Sequence, residues 1–281
     1  MFRRRAKPLL GTLVEIGAGA ATVELADRAI NAAFAEIAVL HDLMSFHQAG
    51  SELSRINACA VGTHIAVNMR CAEVLQAAQR AGAESEHVFD CSVAAELLAD
   101  GILPIMPGNI TPPRTAAAPC WRIEGDRFVK LAPCLIDLGG IAKGYAVDRA
   151  IAILQQYDCH QALVNAGGDM RHFGNEPVIV HLRAADDPGS LPLAISLHNQ
   201  ALATSTAGGL SADGSDHRSA IVDGRTRRRI GVGATASVIA PTCIDADLLT
   251  KVVLASDNPH HPMLAYRDAQ LAQYCRASAP V

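Results

Sequence analysis

The chain has 281 residues, of which half are hydrophobic, and its formal net charge is −4. This length suits one large domain or two modest ones. The composition allows a sizeable aliphatic core, because aromatic residues make up only 4% of the chain. The slightly acidic balance argues against non-specific binding to nucleic acid or to membranes.

No apolar run approaches the roughly 20 residues that a membrane-spanning helix needs. The N-terminus is basic, but no hydrophobic region of a signal peptide follows it. Eight cysteines are scattered along the chain without a CxxC pair, which indicates free, mostly buried thiols rather than disulfides or a zinc site. We therefore expect a cytoplasmic protein.

Periodicity along the first half of the chain predicts strands and helices in irregular order. The predicted strands cover residues 9–16 and 63–67, and the predicted helices cover 26–43, 71–83 and 93–98. Ser51 has the position of an N-cap before a further short helix. Four prolines within residues 101–118 predict an exposed loop. A hairpin is predicted over 121–128, with its turn at 124–126.

The second half of the chain is richer in predicted strands. Their expected ranges are 162–165, 178–183, 193–197, 201–205, 219–222 and 236–240. We expect a turn at 186–189, a loop over 207–216, and helices over 245–255 and near 263–269. Strands that cluster late, with helices interspersed irregularly, favour an α+β fold over a doubly wound parallel sheet.

The stretch LIDLGGIAKGYAVDR, residues 135–149, combines a predicted strand end, a glycine turn and the start of a helix. Gly139 and Gly140 let the backbone approach a ligand closely, because glycine has no side chain. The free N–H groups at the helix start, together with Lys143, suit a phosphate or pyrophosphate. The alternative is that the turn only allows close packing of helix on sheet. The spacing fits neither a Walker loop nor a GxGxxG fingerprint.

Other predicted strand ends also place small residues beside an oxygen ligand or a charge, at 89–90, 165–169 and 204–205. A further site lies at the start of a predicted helix, where Asp247 and Thr250 are spaced i, i+3 and share a face. Carboxylate and hydroxyl oxygens are hard ligands of the kind Mg²⁺ prefers, and Mg²⁺ also uses substrate phosphates. The alternative is that Asp245 caps the helix and Thr250 is an ordinary surface residue.

Seven short segments of the chain, taken in order, form a recognisable pattern. They are LGT at 10–12, MSFHQAGSELSRINA at 44–58, FDCSVAAEL at 89–97, DLGGIAKGYAVD at 137–148, LVNAGGD at 163–169, ALATS at 201–205 and SVIAPTCIDAD at 237–247. Together they resemble the ApbE family, the FAD:protein FMN transferases. The resemblance covers nearly the whole chain, from about residue 9 to the last predicted helix.

The resemblance implies a T-fold-like α+β architecture, with mixed or antiparallel sheets and flanking helices, formed by residues 1–281 as one domain. It implies that FAD binds in a groove with Mg²⁺ at the pyrophosphate. The implied reaction cleaves FAD, passes FMN to a Thr or Ser of an acceptor protein and releases AMP. Phosphoryl transfer needs in-line geometry and charge neutralisation more than covalent chemistry by the protein.

Matched by motif, the resemblance assigns the residues that would bind FAD. Phe46 takes the place of an aromatic residue beside the adenine, and Val88, Phe89 and Asp90 match the segment that lines the nucleotide. The other expected FAD-binding residues are Asp137, Gly139, Gly140, Lys143, Asn165, Gly167, Gly168, Asp169, Thr204 and Ser205.

The resemblance also implies a metal site and a catalytic set. Asp247 and the backbone oxygen of Gly140 match the family's metal-binding positions. Thr250, which shares a helix face with Asp247, is the third expected ligand, although it stands one position before the family's hydroxyl. Lys143 and the glycine turn would hold the diphosphate. The expected catalytic residues are Asp247, Asp223 and His217.

Two departures from the family pattern stand out. The family's segment His-x-x-Asp-Pro-x-Thr-Gly aligns with residues 220–227, where Asp223 and Thr226 are retained but Ala220 stands at the histidine position. His217, three residues earlier, is the candidate substitute for the missing histidine and does not match a family position. On an extended strand it lies about 10 Å away, which argues against a direct replacement. At the metal, the family's hydroxyl ligand stands four residues after the aspartate, where this chain has Lys251. An ammonium there would neutralise phosphate charge or weaken metal binding.

Three hypotheses about function follow. The first is a magnesium-dependent transferase that moves FMN from FAD onto a protein hydroxyl. The second is a magnesium-dependent FAD pyrophosphatase, with water as the acceptor. The third is a flavin-binding protein whose catalytic apparatus has decayed, which Ala220 and Lys251 motivate. The predicted partners are FAD and an acceptor protein, whose identity the sequence does not give.

Overall fold

The computed structural model describes residues 1–106, 119–182, 192–210, 216–217 and 219–276. Within these ranges the chain has the predicted α+β fold with antiparallel sheets. Its helices are α1 (Val23–Met44), α2 (Glu52–Ala58), α3 (Met69–Glu84), α4 (Ala94–Ala99), α5 (Ala142–Gln156), α6 (Cys243–Ser256) and α7 (Pro262–Tyr266). None of these helices has both the length and the apolar character needed to cross a membrane.

The strands of the first half are β1 (Phe2–Leu9), β2 (Thr12–Gly19), β3 (His64–Ala66), β4 (Trp121–Glu124) and β5 (Arg127–Lys130). Those of the second half are β6 (Gln161–Ala166), β7 (Asp169–Phe173), β8 (Val178–Leu182), β9 (Leu193–Leu197), β10 (Ala201–Thr206), β11 (Gly209–Leu210), β12 (Asp216–His217), β13 (Val222–Asp223), β14 (Arg228–Arg229), β15 (Thr235–Ala240) and β16 (Gln270–Cys275).

A central antiparallel sheet has seven strands in the order β1-β2-β6-β7-β10-β15-β16. Helices α1, α5 and α6 pack against this sheet, and α5 lies between α1 and α6. The core that they enclose is aliphatic, since Ile16, Ile30, Val164 and Leu249 have no exposed surface. A smaller apolar cluster, which includes Leu197, joins the β8–β9 hairpin to the sheet.

The N-terminal hairpin corrects the strand predicted over residues 9–16. A turn at Leu10 and Gly11, with φ values of +54° and +71°, divides that range into the end of β1 and the start of β2. β1 pairs with β2 along its whole length but is largely exposed. An exposed strand lacks the apolar alternation that marks a half-buried one, so the sequence pattern does not reveal β1.

Leu135 and Ile136 are buried but belong to no strand, contrary to prediction. The side-chain amide of Asn57 donates to the Ile136 carbonyl over 2.9 Å, and its Oδ1 accepts from the Ile136 N–H over 2.7 Å. Asn57 is itself buried. One side chain therefore satisfies the backbone groups that a neighbouring strand would otherwise bond.

Other boundaries also differ from prediction. Part of the loop expected over 207–216 forms the paired strands β11 and β12. The last helix ends at Tyr266, and β16 follows it where only a helical tail was expected. Most of the expected loop, residues 107–118, and the turn at 186–189 lie outside the described residues. All eight cysteines are free thiols, and five are buried, as predicted.

Candidate functional site

Helices α5 and α6 cap each other, and this fixes the centre of the site. The N–H of Gly144, in the first turn of α5, donates to Oδ2 of Asp247 over 2.9 Å. In return, Asp148 accepts from the first two N–H groups of α6, those of Cys243 and Ile244, over 2.9 Å each. Each carboxylate satisfies orphan donors at the other helix's start. Residues 103 positions apart are thereby held together.

Gly144 makes this close approach possible. A Cβ built on Gly144 would overlap the carbonyl oxygen of Cys243 and lie 2.8 Å from the Cβ of Asp247. Any larger residue would push α6 away from α5. The third glycine of the DLGGIAKGYAVD motif therefore serves helix packing, whereas the pair Gly139 and Gly140 forms the turn that precedes α5.

Two lysine–aspartate pairs lie at this junction. Lys143 on α5 is paired with Asp169, the first residue of β7. Lys251 is paired with Asp247, four residues earlier on α6. Both carboxylates are fully buried, whereas the lysine side chains are 32% and 16% exposed. Each lysine side chain is therefore partly open to solvent, whereas the aspartate that it pairs with is not.

The charges of these pairs act on each other. Burial acts to raise the pKa of Asp247, but the ammonium groups of Lys251 and Lys143 outweigh it, and the pKa is lowered. Burial, together with the charge of Asp247, raises the pKa of Asp169. Burial opposes the charged form of Lys143, yet the carboxylates of Asp247 and Asp169 raise its pKa. Lys143 is therefore a cation at neutral pH.

The glycine corner after β6 sets the position of Asp169. Gly167 and Gly168 have φ values of +66° and +104°, conformations that glycine adopts readily. Oδ1 of Asn165 accepts from the N–H of Gly168 over 2.9 Å and closes the corner. The predicted strand and corner are both present here, and β7 begins directly at Asp169.

The hydroxyl groups on β10 face α6 and β15. Ser205 Oγ lies 2.7 Å from Thr250 Oγ1, and Thr204 Oγ1 lies 2.8 Å from Ser237 Oγ. Thr250 also donates to the backbone carbonyl of Asp247 over 2.7 Å, and it has no exposed surface. Thr250 is thus a buried residue of the α6–β10 contact rather than a surface residue.

A cavity of about 50 Å³ lies beside the glycine turn that precedes α5. It is lined by five of the predicted FAD-binding residues, by both departures from the family pattern, and by apolar neighbours. The members that matter here are Val88, Phe89, Asp90, Asp137, Gly140, Ala220 and Lys251. The structure thus brings together segments that lie far apart in the sequence.

A larger cavity, of about 500 Å³, lies beside the small one. Phe89 and Asp90 line both cavities, and Trp121 and Arg227 line the larger one. Its wall is more apolar than polar. A pocket of this size and character suits a planar ring system with a few polar anchors.

The turn between β13 and β14 contributes Gly224 and Arg227 to the wall of the larger cavity. Oδ1 of Asp223 accepts from the N–H of Arg225 over 2.9 Å, and Thr226 donates to its Oδ2 over 3.1 Å. Arg227 donates from Nη2 to Asp90 Oδ2 over 2.8 Å. Asp223 is therefore engaged in shaping its own turn, and Arg227, which the sequence analysis did not single out, ties that turn to Asp90.

The remaining predicted residues lie as follows. Asp137 Oδ2 accepts from the N–H of Gly139 over 3.1 Å, and burial raises the pKa of Asp137. Phe46 is 4% exposed and belongs to the apolar core, and neither of the two cavities includes it among their described lining residues. His217 pairs through its backbone strand with Gly209, and Ala220 is exposed.

The side-chain oxygens expected to bind the metal already accept or donate hydrogen bonds within the protein. Both oxygens of Asp247 are engaged, one by Lys251 and one by the N–H of Gly144. The hydroxyl of Thr250 is bonded to Ser205 and to a carbonyl of its own helix. Among the described residues, no group of three or more His, Cys, Asp or Glu side chains is placed to hold a metal ion.

Comparison with known proteins places this geometry in context. The sequence matches the ApbE family over residues 10–274. A comparison with curated proteins finds no match. The fold is similar to the ApbE protein from Thermotoga maritima, at 21% identity and a TM-score of 0.81, covering 99% of this chain and 97% of that one.

Two further solved structures are similar. One is the flavin transferase ApbE from Vibrio cholerae, at 22% identity and a TM-score of 0.75, over 99% of this chain and 97% of that chain. The other is the flavinyl transferase ApbE from Pseudomonas stutzeri in its apo form, at 20% identity and a TM-score of 0.77, over 96% and 90%. Because the family match spans nearly the whole sequence, this chain belongs to the ApbE family.

Proposed function

We propose that this protein cleaves the pyrophosphate of FAD and transfers FMN to the hydroxyl of a Thr or Ser in an acceptor protein, releasing AMP. Membership of the ApbE family supports flavin transfer in general. The observation that carries the proposal is that Lys251 and Gly140 line one cavity together with Phe89 and Asp90. Lys143 lies near the same junction, because it pairs with Asp169 and is close enough to Asp247 for that charge to raise its pKa.

The charge arrangement supports a diphosphate ligand. Two lysines with partly exposed side chains pair with two fully buried carboxylates. An ammonium has three N–H donors, and within the described chain the hydrogen bond found for each ammonium goes to its aspartate. Lys143 and Lys251 therefore retain donors for phosphate oxygens, while the adjacent 500 Å³ cavity would take a ring of the dinucleotide.

The proposed step is a displacement at one phosphorus atom. The acceptor hydroxyl oxygen forms a bond to the phosphorus of the FMN half, and its proton is lost to a base or to solvent. The bond from that phosphorus to the bridging oxygen breaks, and AMP leaves with the electron pair. Such a step depends on positioning and on stabilising charge at the phosphoryl oxygens, which the lysines would supply.

The expected roles of Asp223, His217 and Asp247 in catalysis stay predictions. The expected magnesium ion also stays a prediction of the resemblance. The surroundings of Asp247, as they are bonded here, do not fit a divalent ion, because the ammonium of Lys251 stands at one carboxylate oxygen and would repel a second cation there. The other oxygen accepts from the N–H of Gly144. We therefore assign no step to magnesium.

The test uses the purified full chain, FAD and a protein already known to be flavinylated on threonine. The expected result is a fluorescent acceptor in a denaturing gel, a mass increase equal to the FMN group, and one AMP per label. The variant Lys143→Met should lose most of the transfer. Lys7→Met is the matched control, because Lys7 lies on β1 over the ring of Phe34.

Other outcomes distinguish the remaining hypotheses. AMP and free FMN formed without any acceptor would support the pyrophosphatase instead. Tight FAD binding without turnover, with or without divalent metal, would support a flavin-binding protein with a decayed site. A protein that does not bind FAD would reject all three.

A further inference from the structure

Lys251 lies where the family pattern has a hydroxyl ligand of the metal, four residues after Asp247. That spacing puts both side chains on one face of α6. The Lys251 stem also runs along the glycine turn, because a Cβ built on Gly140 would lie 3.8 Å from both its Cγ and its Cε. Lys251 therefore bonds Asp247 through its ammonium and lies close to Gly140 along its stem, so it is next to two of the three residues expected to hold the metal.

Thr250, the third expected ligand, uses its hydroxyl in other hydrogen bonds. Thr250 donates to the Asp247 carbonyl over 2.7 Å, and its oxygen lies 2.7 Å from Ser205 Oγ. The ammonium of Lys251 thus places a positive charge beside Asp247, where the family pattern has a metal ion. Its side chain is 16% exposed and lines the cavity shared with Phe89, so the charge is accessible to a ligand there.

We infer that the ammonium of Lys251 takes the place of the divalent cation at the FAD diphosphate, and that Asp247 holds this ammonium rather than a metal ion. This inference rests on the proposed function, because it assumes that the diphosphate lies over the Gly140 turn. It predicts that this chain binds FAD, and transfers FMN, without added magnesium.

The first measurement needs no variant. The FAD dissociation constant of the full-length protein is measured by flavin fluorescence in excess chelator and again in excess Mg²⁺, and the two values should agree. A titration with Mn²⁺, followed by electron paramagnetic resonance, should show no saturable ion in the protein, with or without FAD.

Two substitutions then test the ammonium itself. Lys251→Met removes the charge but keeps an unbranched stem, and it should weaken FAD binding by about 10- to 100-fold, the range that a charge-assisted hydrogen bond carries. Lys251→Thr restores the hydroxyl of the family pattern. It should bind FAD poorly in chelator, recover with Mg²⁺, and acquire a Mn²⁺ signal. Lys7→Met should behave like the unmodified protein in every assay.

Three results would overturn the inference. They are a large loss of FAD affinity when the unmodified protein is placed in chelator, a saturable Mn²⁺ ion that disappears in Asp247→Asn, and full FAD affinity of Lys251→Met in chelator. Failure of the transferase proposal looks different. A protein that binds FAD equally in chelator and in Mg²⁺ but labels no acceptor would reject transfer and leave the role of Lys251 intact.

Discussion

The two lysine–aspartate pairs of the site have the same composition but differ in how they are completed. Asp247 accepts from Lys251 with one oxygen and from the N–H of Gly144 with the other. Asp169 accepts from Lys143 with one oxygen, whereas its Oδ1 is buried without a partner among the described residues. The pKa of Asp247 is lowered, and that of Asp169 is raised.

We call the Lys251–Asp247 pair the structural pair, because both oxygens of Asp247 are hydrogen-bonded. We call the Lys143–Asp169 pair the open pair, because Oδ1 of Asp169 has no partner among the described residues. Asp247 is committed to the α5–α6 junction, so its charge is balanced before any ligand arrives. Asp169 carries a buried acceptor whose desolvation costs about 1–3 kcal/mol if it stays unbonded. A proton, or a donor brought by a ligand, would recover part of that cost. Asp169 is therefore the one carboxylate of the two pairs that lacks a hydrogen-bond partner for one oxygen among the described residues.

The largest expected effect is that of Asp247→Asn. An amide has one accepting oxygen, so it cannot accept from both Lys251 and Gly144, and its NH₂ group must face one of those donors. Breaking a buried ion pair in this way should lower the free energy of unfolding by about 3–5 kcal/mol. Urea unfolding measures this loss of stability. The control is Asp126→Asn, because Asp126 is exposed. Equal losses in the two variants would contradict the committed role of Asp247.

The next effect concerns the glycine that brings the helices together. Gly144→Ala should lower the free energy of unfolding by about 1–3 kcal/mol, because the new methyl group overlaps the Cys243 carbonyl. It should also weaken FAD binding, since α6 carries Lys251. Gly50→Ala is the matched control, because a Cβ there meets no atom within 4 Å. A Gly144→Ala protein as stable as the control would contradict the packing argument.

Asp169→Asn should be milder than Asp247→Asn. The amide oxygen can still accept from Lys143, while the NH₂ group takes the position of the unbonded Oδ1. The variant should lose only about 1 kcal/mol of stability, the worth of weakening one hydrogen bond to a charged group. Parallel urea titrations of the two variants measure the difference. A larger loss in Asp169→Asn would reverse the assignment of the structural and the open pair.

The pH dependence sharpens the same comparison. Because the folded-state pKa of Asp169 is raised by burial and by Asp247, the folded protein holds that proton more tightly than the unfolded chain. The stabilisation from this proton is complete below the unfolded-state pKa of about 3.9 and is lost as the pH rises through the folded-state pKa. The unmodified protein should thus lose stability relative to Asp169→Asn over that interval. A constant difference would contradict the raised pKa.

The parts of the fold that local sequence patterns encode could be predicted. The glycine corner before Asp169, the Ser51 cap and helix α6 follow from turn chemistry and helical periodicity, and they are present. The exposed strand β1 carries no such pattern. The extended segment at Ile136 has an apolar pattern but no neighbouring strand, because Asn57, 79 residues away, bonds it instead. A partner that distant cannot be read from local sequence.

In the site, too, features encoded by local motifs could be predicted, whereas contacts between distant residues could not. The residues expected to hold a diphosphate follow from motifs. In the structure Lys143 lies near Asp247, and Lys251 joins Asp247 to the Gly140 turn. The reciprocal cap from Asp148 and the contact of Arg227 with Asp90 depend on three-dimensional packing, so the sequence analysis did not identify them. The sequence identifies Lys251 as a departure from the family pattern, but its contact with Gly140 is visible only in the structure.

The smallest expected effect concerns a third ion pair of the site, that of Arg227 with Asp90. Arg227 stands at the position of the family's final glycine and has a φ of +57°, a left-handed conformation that costs a non-glycine residue about 1–2 kcal/mol. Arg227→Ala loses the ion pair and keeps this strain, whereas Arg227→Gly loses the pair and relieves it. The glycine variant should therefore be the more stable of the two by about 1 kcal/mol, as thermal or urea unfolding would measure. An alanine variant at least as stable as the glycine variant would mean that the backbone at Arg227 is unstrained, and that the ion pair alone accounts for the residue.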